Sequence, residues 1–194
     1  MIEDFPDRLL CDMARLDPCT AVVEAGEQDV DGLTDYSPEG HQARADLAVR
    51  ALRELEILGD ALPAATPLHA HLAERLHTRI AFHDAGDDLR ELHAAATGPL
   101  QLIRQAVEAA VPGRGAEGAV FEEGWARVGA RLAAIPAALD GYARSLLLAA
   151  ERGNLPARRQ VELVTQPAAN GSTTMSPWWI ATARGVSGRR CRPQ

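Results

Sequence analysis

Three observations predict an all-α protein, a bundle-like array of about six to seven amphipathic helices with an irregular C-terminal tail. Apolar residues recur at three- and four-residue steps over most of the first 166 positions, the period of a helix that buries one face. Aromatic residues make up only 4% of the 194, and with few β-branched runs there is little to favour strands. Pro and Gly fall between the periodic stretches, where helices start and stop.

Residues 4–16 read as the first helix, with Asp4 as its cap, Pro6 in the first turn and Phe5, Leu9, Met13 and Leu16 as its stripe. Asp17-Pro18 interrupts it, and a short helical piece over residues 19–25 ends at Gly26. Residues 26–36 form a polar loop containing Asp29, Asp31, Gly32 and Asp35. Its glycine and closing acid do not fall where a calcium-binding loop needs them.

The chain is organised around the next stretch, residues 33–58. Ser37 is a good N-cap, Pro38 suits the first helical position because its missing N–H costs nothing there, and Glu39 favours the positive end of the helix dipole. Leu47, Ala51, Leu55 and Leu58 form the stripe, widened by Ala48 and Leu52. After a turn holding Pro63, Thr66 caps a third long helix. Pro67 opens it, and Leu68, Leu72, Leu76 and Ile80 lie along one side to about His83. Gly86 predicts a break, with a short continuation over residues 87–93. Further helices are predicted over residues 100–111, 121–135, 137–152 and 157–166. Pro112-Gly113, Pro136 and Pro167 mark ends or restarts, and Gly153 a C-cap. In the helix at 121–135, Phe121, Trp125, Val128 and Leu132 form the expected inner face; after Pro136 it is Leu139, Tyr142 (or Ala143), Leu146 and Ala150.

From Pro167 the helical period vanishes. Residues 167–194 hold four Arg and no acid, which leaves 16 Arg against 27 acids, a net of −11, in residues 1–166. The chain thus divides into a helical domain, 1–166, and an irregular or disordered tail, 167–194. Trp178-Trp179-Ile180 has no amphipathic context. Either this tail docks on something, or it is not the sequence the domain was selected with, as after a frameshift; the abrupt end of the pattern favours the second.

All 20 basic residues are Arg. The net charge of −7 argues against a nucleic-acid partner, which favours a basic face, and against an anionic membrane surface. No run of roughly 18 apolar residues predicts a transmembrane helix. The acidic start, with no apolar signal region, reads as cytoplasmic. Cys11, Cys19 and Cys191 lack metal or redox spacing and read as free thiols.

No strong catalytic, cofactor-binding or metal-binding pattern emerges. His69, His71, His77 and His83 share one predicted helix, but no two are three or four residues apart, as a helical metal pair requires. Asp84, Asp87 and Asp88 around Gly86 read as a capped, solvated junction rather than an acid–base pair. Glu122 and Glu123 suit a first helical turn, Ser145 and Ser172 lack the glycines of a nucleophile elbow, and residues 113–118 lack the Lys-Ser/Thr of a phosphate loop. Arg158-Arg159 reads as a solvated pair.

Three phrases carry a resemblance. They are ARLDPCTAVVEAGEQDVDGLTDYSPEGHQAR (residues 14–44), RIAFHDAGDDLRELHAAATGPLQLIRQ (79–105) and ARLAAIPAALDGYARSLLLAAERGNLPARRQVE (130–162). In this order and spacing, residues 1–166 resemble the amino-terminal part of the bacterial family catalogued as domain of unknown function 885, and the tail does not. The LTDYSPEG and PARRQVE phrases are the most specific. The resemblance implies a mostly helical family of longer proteins that look like zinc-dependent peptidases of the zincin type. Their His-Glu and Pro-Gly-His-His metal phrases have no counterpart here, so zinc is implied only for the longer members and no site residue carries over.

Two functions follow as expectations. The first is the N-terminal helical lobe of a zinc-dependent hydrolase, truncated or frameshifted, that helps wall a substrate cleft, packs against a missing C-terminal half and is inactive alone. The second is a free-standing helical interaction module, binding a partner or a second copy through exposed stripes or the Trp178-Trp179 tail. The resemblance ranks the first higher.

Overall fold

The computed structural model describes residues 4–26, 31–60, 67–92, 97–113 and 115–169. They form seven helices, with no strand among the described residues. These are α1 (Phe5–Leu16), α2 (Pro18–Glu24), α3 (Pro38–Asp60), α4 (Pro67–Asp84), α5 (Pro99–Ala109), α6 (Gly118–Glu151) and α7 (Arg158–Ala169). The predicted all-α class is the observed one.

Local chemistry sets the early boundaries. Asp17 caps α2, its Oδ1 accepting from the Thr20 N–H at 3.4 Å and from the Thr34 hydroxyl at 2.7 Å. Ser37 caps α3, its Oγ accepting from the Gly40 N–H at 3.1 Å. Gly40 is required there, because a Cβ would lie 2.1 Å from the Asp35 carbonyl oxygen. Cys19 is a buried free thiol whose sulfur accepts from the Thr34 N–H at 3.3 Å. Cys11 is disulfide-bonded, against the reading of three free thiols; Cys191 lies outside the described residues.

Two apolar clusters build the core. The first joins Phe5 and Leu9 of α1 to Leu47, Ala48, Ala51, Leu52 and Leu55 of α3 and Leu76 of α4, the stripes that the period predicts. The second gathers Cys19, Tyr36, Leu102, Ile103, Ala106, Ala138 and Tyr142 from α2, the 31–37 segment, α5 and α6.

Several boundaries differ from the predicted ones. Pro136 does not restart the chain; it lies inside the 34-residue α6. Its ring holds a helical φ, and it sits on the exposed face, where solvent can take the hydrogen bond it denies the Leu132 carbonyl. Being unbroken, α6 is also long and apolar enough, by length and composition, to cross a membrane, a property hidden when the helix is divided at Pro136. Residues 85–90 form turns instead of continuing as helix. α7 passes through Pro167 to Ala169, three residues beyond the predicted domain end at 166. Trp178 and Trp179 lie outside the described residues.

The inner face of α6 is rotated by about one residue step from the predicted one. Gly124, Val128, Arg131, Ala138, Gly141, Tyr142, Ser145 and Ala149 are buried. Phe121, Trp125 and Leu132, expected inside, are 46%, 48% and 50% exposed. Small residues let α6 approach the 35–37 turn closely: a Cβ on Gly141 would lie 3.0 Å from the Ser37 backbone nitrogen. The Ser145 hydroxyl donates to the Tyr36 carbonyl at 2.7 Å. Arg131, 1% exposed, donates to the Ala106 carbonyl near the C-terminal end of α5, where helix carbonyls carry partial negative charge.

Candidate functional site

Beside the second cluster, α2, the start of α3, the end of α4, the 85–92 turn and the start of α5 enclose a cleft of about 280 Å³. It is lined by ionisable side chains, among them His41, Arg44, Arg79, His83 and Asp88.

The floor is built by the first turns of α3. His41 and Arg44, three residues apart, share a helix face. The Arg44 guanidinium donates through Nη1 to the Asp35 carbonyl at 2.7 Å and more weakly to the Leu16 carbonyl at 3.4 Å. Its Nη2 donates to His41 Nδ1 at 3.0 Å. The guanidinium carbon also lies 5.9 Å from the centre of the Tyr36 ring, within cation–π range. One side chain thus ties the end of α1 to the turn before α3. Burial weakens the charged form of Arg44 and lowers its pKa. Burial also tends to raise the Asp35 carboxyl, but hydrogen bonds from Ser37 and the charge of Arg44 outweigh it and leave the carboxyl below its ordinary value.

His41 is 6% exposed. Burial, then the positive charge of Arg44, push its pKa down to about 4, against the pull of Asp88. The ring is therefore neutral at pH 7. Because Nδ1 accepts from Arg44, its proton sits on Nε2. The 3.5 Å approach of His41 Nδ1 to Asp88 Oδ2 is accordingly a contact between two acceptors and not an ion pair.

Asp88 is held from the other side. His83 Nδ1 donates to its Oδ2 at 2.6 Å, and His83 Nε2 lies 3.2 Å from Gln42 Oε1. The Gln42 amide nitrogen in turn donates to Asp46 at 2.9 Å, so the end of α4 and the following turn are tied to α3. Asn154, beyond the end of α6, secures the turn by donating to the Gly86 carbonyl at 2.9 Å. Tyr142 donates its hydroxyl to the Glu91 carbonyl at 2.7 Å. Burial raises the phenol pKa of both Tyr36 and Tyr142. Two buried polar atoms at this site, the Tyr36 hydroxyl and Asp88 Oδ1, have no hydrogen-bond partner among the described residues.

The four helix histidines do not converge. His69 Nε2 is 3.0 Å from the Leu55 carbonyl oxygen, His71 and His77 are exposed, and only His83 reaches the cleft. Of the acidic cluster, Asp88 is in the cleft, Asp87 pairs with Arg90 at 2.6 Å and Asp84 is exposed. Glu122 and Glu123 fall in the second turn of α6, which starts earlier than predicted. Ser145 is a buried donor to a carbonyl, Arg158 pairs with Glu162 at 2.9 Å, and Ser172 lies outside the described residues. Sequence reasoning missed His41. Its available signal was the GHQAR phrase, which places a histidine and an arginine three apart just inside a strong cap.

Zinc, implied for the longer relatives, does not fit this site. No group of three or more His, Cys, Asp or Glu is placed to hold a metal ion among the described residues. His41 Nδ1 already accepts from a guanidinium and His83 Nδ1 donates to Asp88, so neither nitrogen is free to ligate. Among the described residues no nucleophile is paired to a base here, and the charged and polar groups lining the cleft can recognise a polar ligand.

The described residues thus form an all-α unit with a polar cleft and with an apolar face of α6 left exposed. The chain belongs to the bacterial protein family of unknown function DUF885, whose model matches residues 19–177. The match leaves out all of α1 and the first residue of α2, and it extends past residue 166 into the stretch that the resemblance excluded. No curated protein matches the chain.

Proposed function

We propose that this chain is the N-terminal helical lobe of a zinc-dependent, peptidase-type hydrolase, in which it walls a substrate cleft without contributing metal ligands. It is inactive alone, and the metal-binding half is a separate body that packs against it. The observation carrying this reading is the outer face of α6. Phe121, Trp125, Leu132 and Leu139 follow one another at steps of four and seven residues and are all at least 39% exposed, while Phe121 and Trp125 stack edge to face with centres 6.2 Å apart. A contiguous apolar stripe of this length marks a face that is covered in the working protein. A membrane is the weaker cover, since Arg127, Arg131, Asp140 and Arg144 lie along the same helix and a charge at mid-bilayer costs about 2.5–3.5 kcal/mol.

Mixing the pure chain with the C-terminal part of a longer family member tests this. The expected result is a stoichiometric complex that Trp125→Glu and Leu132→Glu abolish, while the chain alone neither retains zinc nor hydrolyses peptides. Stoichiometric zinc or peptide hydrolysis by the chain alone would overturn the reading. A stable homodimer broken by the same substitutions would replace it with the interaction-module reading.

A further inference from the structure

The cleft of His41 and Asp88 carries an inference that is independent of the metal-binding half, because every residue used belongs to this chain. Its cationic side holds Arg44 and Arg79, contributed by α3 and α4. Arg44 donates to carbonyls and a neutral imidazole, while the Asp17 and Asp35 carboxylates attract its charge without a hydrogen bond to it. Arg79 has no hydrogen bond or ion pair among the described residues and lies close enough to Arg44 for the two charges to repel. The start of α5 faces the same space through Thr97 and Pro99, and its N-cap, Gly98, supplies no side-chain acceptor. Its positive end is left to whatever occupies the cleft.

The lining also carries four acids, Asp17, Glu24, Asp88 and Glu91, on the α2 and turn sides. A buried polar atom without a partner calls for a missing ligand, ion or water, and this site has two: Asp88 Oδ1, a pure acceptor, and the hydroxyl of Tyr36, whose side chain is 5% exposed. An ammonium, with three donors and no acceptor, serves both. A simple anion would meet the carboxylates and a simple cation the two guanidiniums. One small skeleton bearing both charges meets neither objection. The volume of about 280 Å³ lies just below the ~300–1,000 Å³ typical of sites for drug-sized ligands, which suits a molecule of few heavy atoms.

We propose that this cleft binds a small zwitterion of free amino-acid size, with its carboxylate between Arg79, Arg44 and the start of α5 and its ammonium toward Asp88 and the Tyr36 hydroxyl. Calorimetric titration of the full chain with glycine, L-alanine, L-leucine and L-arginine, and separately with acetate, methylammonium and inorganic phosphate, tests it. At least one amino acid is expected to bind at least tenfold more tightly than any of the three single-charge probes. Arg79→Gln is expected to weaken that binding at least tenfold with the helical dichroism unchanged, since Arg79 holds no structural partner. Tyr36→Phe, which deletes only an unpartnered hydroxyl, is expected to weaken it without lowering the thermal midpoint. The proposal is overturned if no amino acid binds, if acetate, phosphate or methylammonium binds as tightly, or if both variants bind like the wild type.

Discussion

The buried, neutral His41 makes stability depend on pH between about 4 and 6.5. In the unfolded chain the imidazole takes up its proton near 6.5, whereas in the fold it does so only at about 4. The native pKa is depressed, so the contribution is present above 6.5 and is lost as pH falls from there toward 4, because the unfolded state binds the proton first. With 1.36 kcal/mol per unit, lowering the pH from 7 to 5 removes about 2 kcal/mol, an appreciable part of the ~5–15 kcal/mol by which domains are stable. Carboxylates enter mostly below this window; Asp35, whose pKa is lowered in the fold, adds its own loss there. Urea unfolding followed by helical dichroism at pH 7, 6 and 5 measures the slope, and His41→Gln provides the reference. The variant is expected to be less stable at pH 7 by about 1 kcal/mol through its altered bond with Arg44, yet to lose much less than the wild type on going to pH 5. Equal losses in the two proteins, within about 0.5 kcal/mol, would refute the buried neutral imidazole as the cause.

Gly40→Ala forces a Cβ to 2.1 Å from the Asp35 carbonyl and is expected to cost about 1–3 kcal/mol or more, read as a lower urea midpoint. Ser145→Ala strands the Tyr36 carbonyl, which accepts from Ser145 at 2.7 Å; a loss of about 1–3 kcal/mol is expected in the same assay. Tyr142→Phe removes the hydroxyl bonded to Glu91 and is expected to cost about 1 kcal/mol. Leu132→Glu alters a residue 50% exposed, so stability should stay within about 0.5 kcal/mol of wild type while binding of a hydrophobic dye falls.

The front half of the fold was legible because its signals agree with one another. Ser37, Pro38 and Gly40 fix the start of α3 by backbone chemistry, and the Leu47–Leu55 stripe meets Phe5, Leu9 and Leu76 as the period requires. α6 was misread for two reasons. Pro136 reads as an end, yet a proline on a solvated face forfeits only a bond that solvent replaces. The large apolar residues read as the inner face, yet packing there runs through Gly141, Ser145 and Ala149. The cleft was half legible. The sequence marked Asp88 as part of an acidic junction and His83 as a lone helix histidine, but their meeting with His41 joins positions 41 and 88, and that long-range contact leaves no trace in local spacing.

The small-residue face of α6 has a consequence for how this protein tolerates change. In an ordinary amphipathic helix, the bulky apolar positions are the ones a random substitution damages. Here the hierarchy is inverted: Phe121, Trp125 and Leu132 can be exchanged at little cost to the isolated chain, whereas a single added methyl at Gly141 pushes against the backbone of Ser37. A saturation library selected for folding alone would therefore strip α6 of Phe121, Trp125, Leu132 and Leu139 and keep Gly124, Gly141, Ser145 and Ala149. Selection for assembly would retain both sets, and the difference between the two libraries would trace the covered face residue by residue.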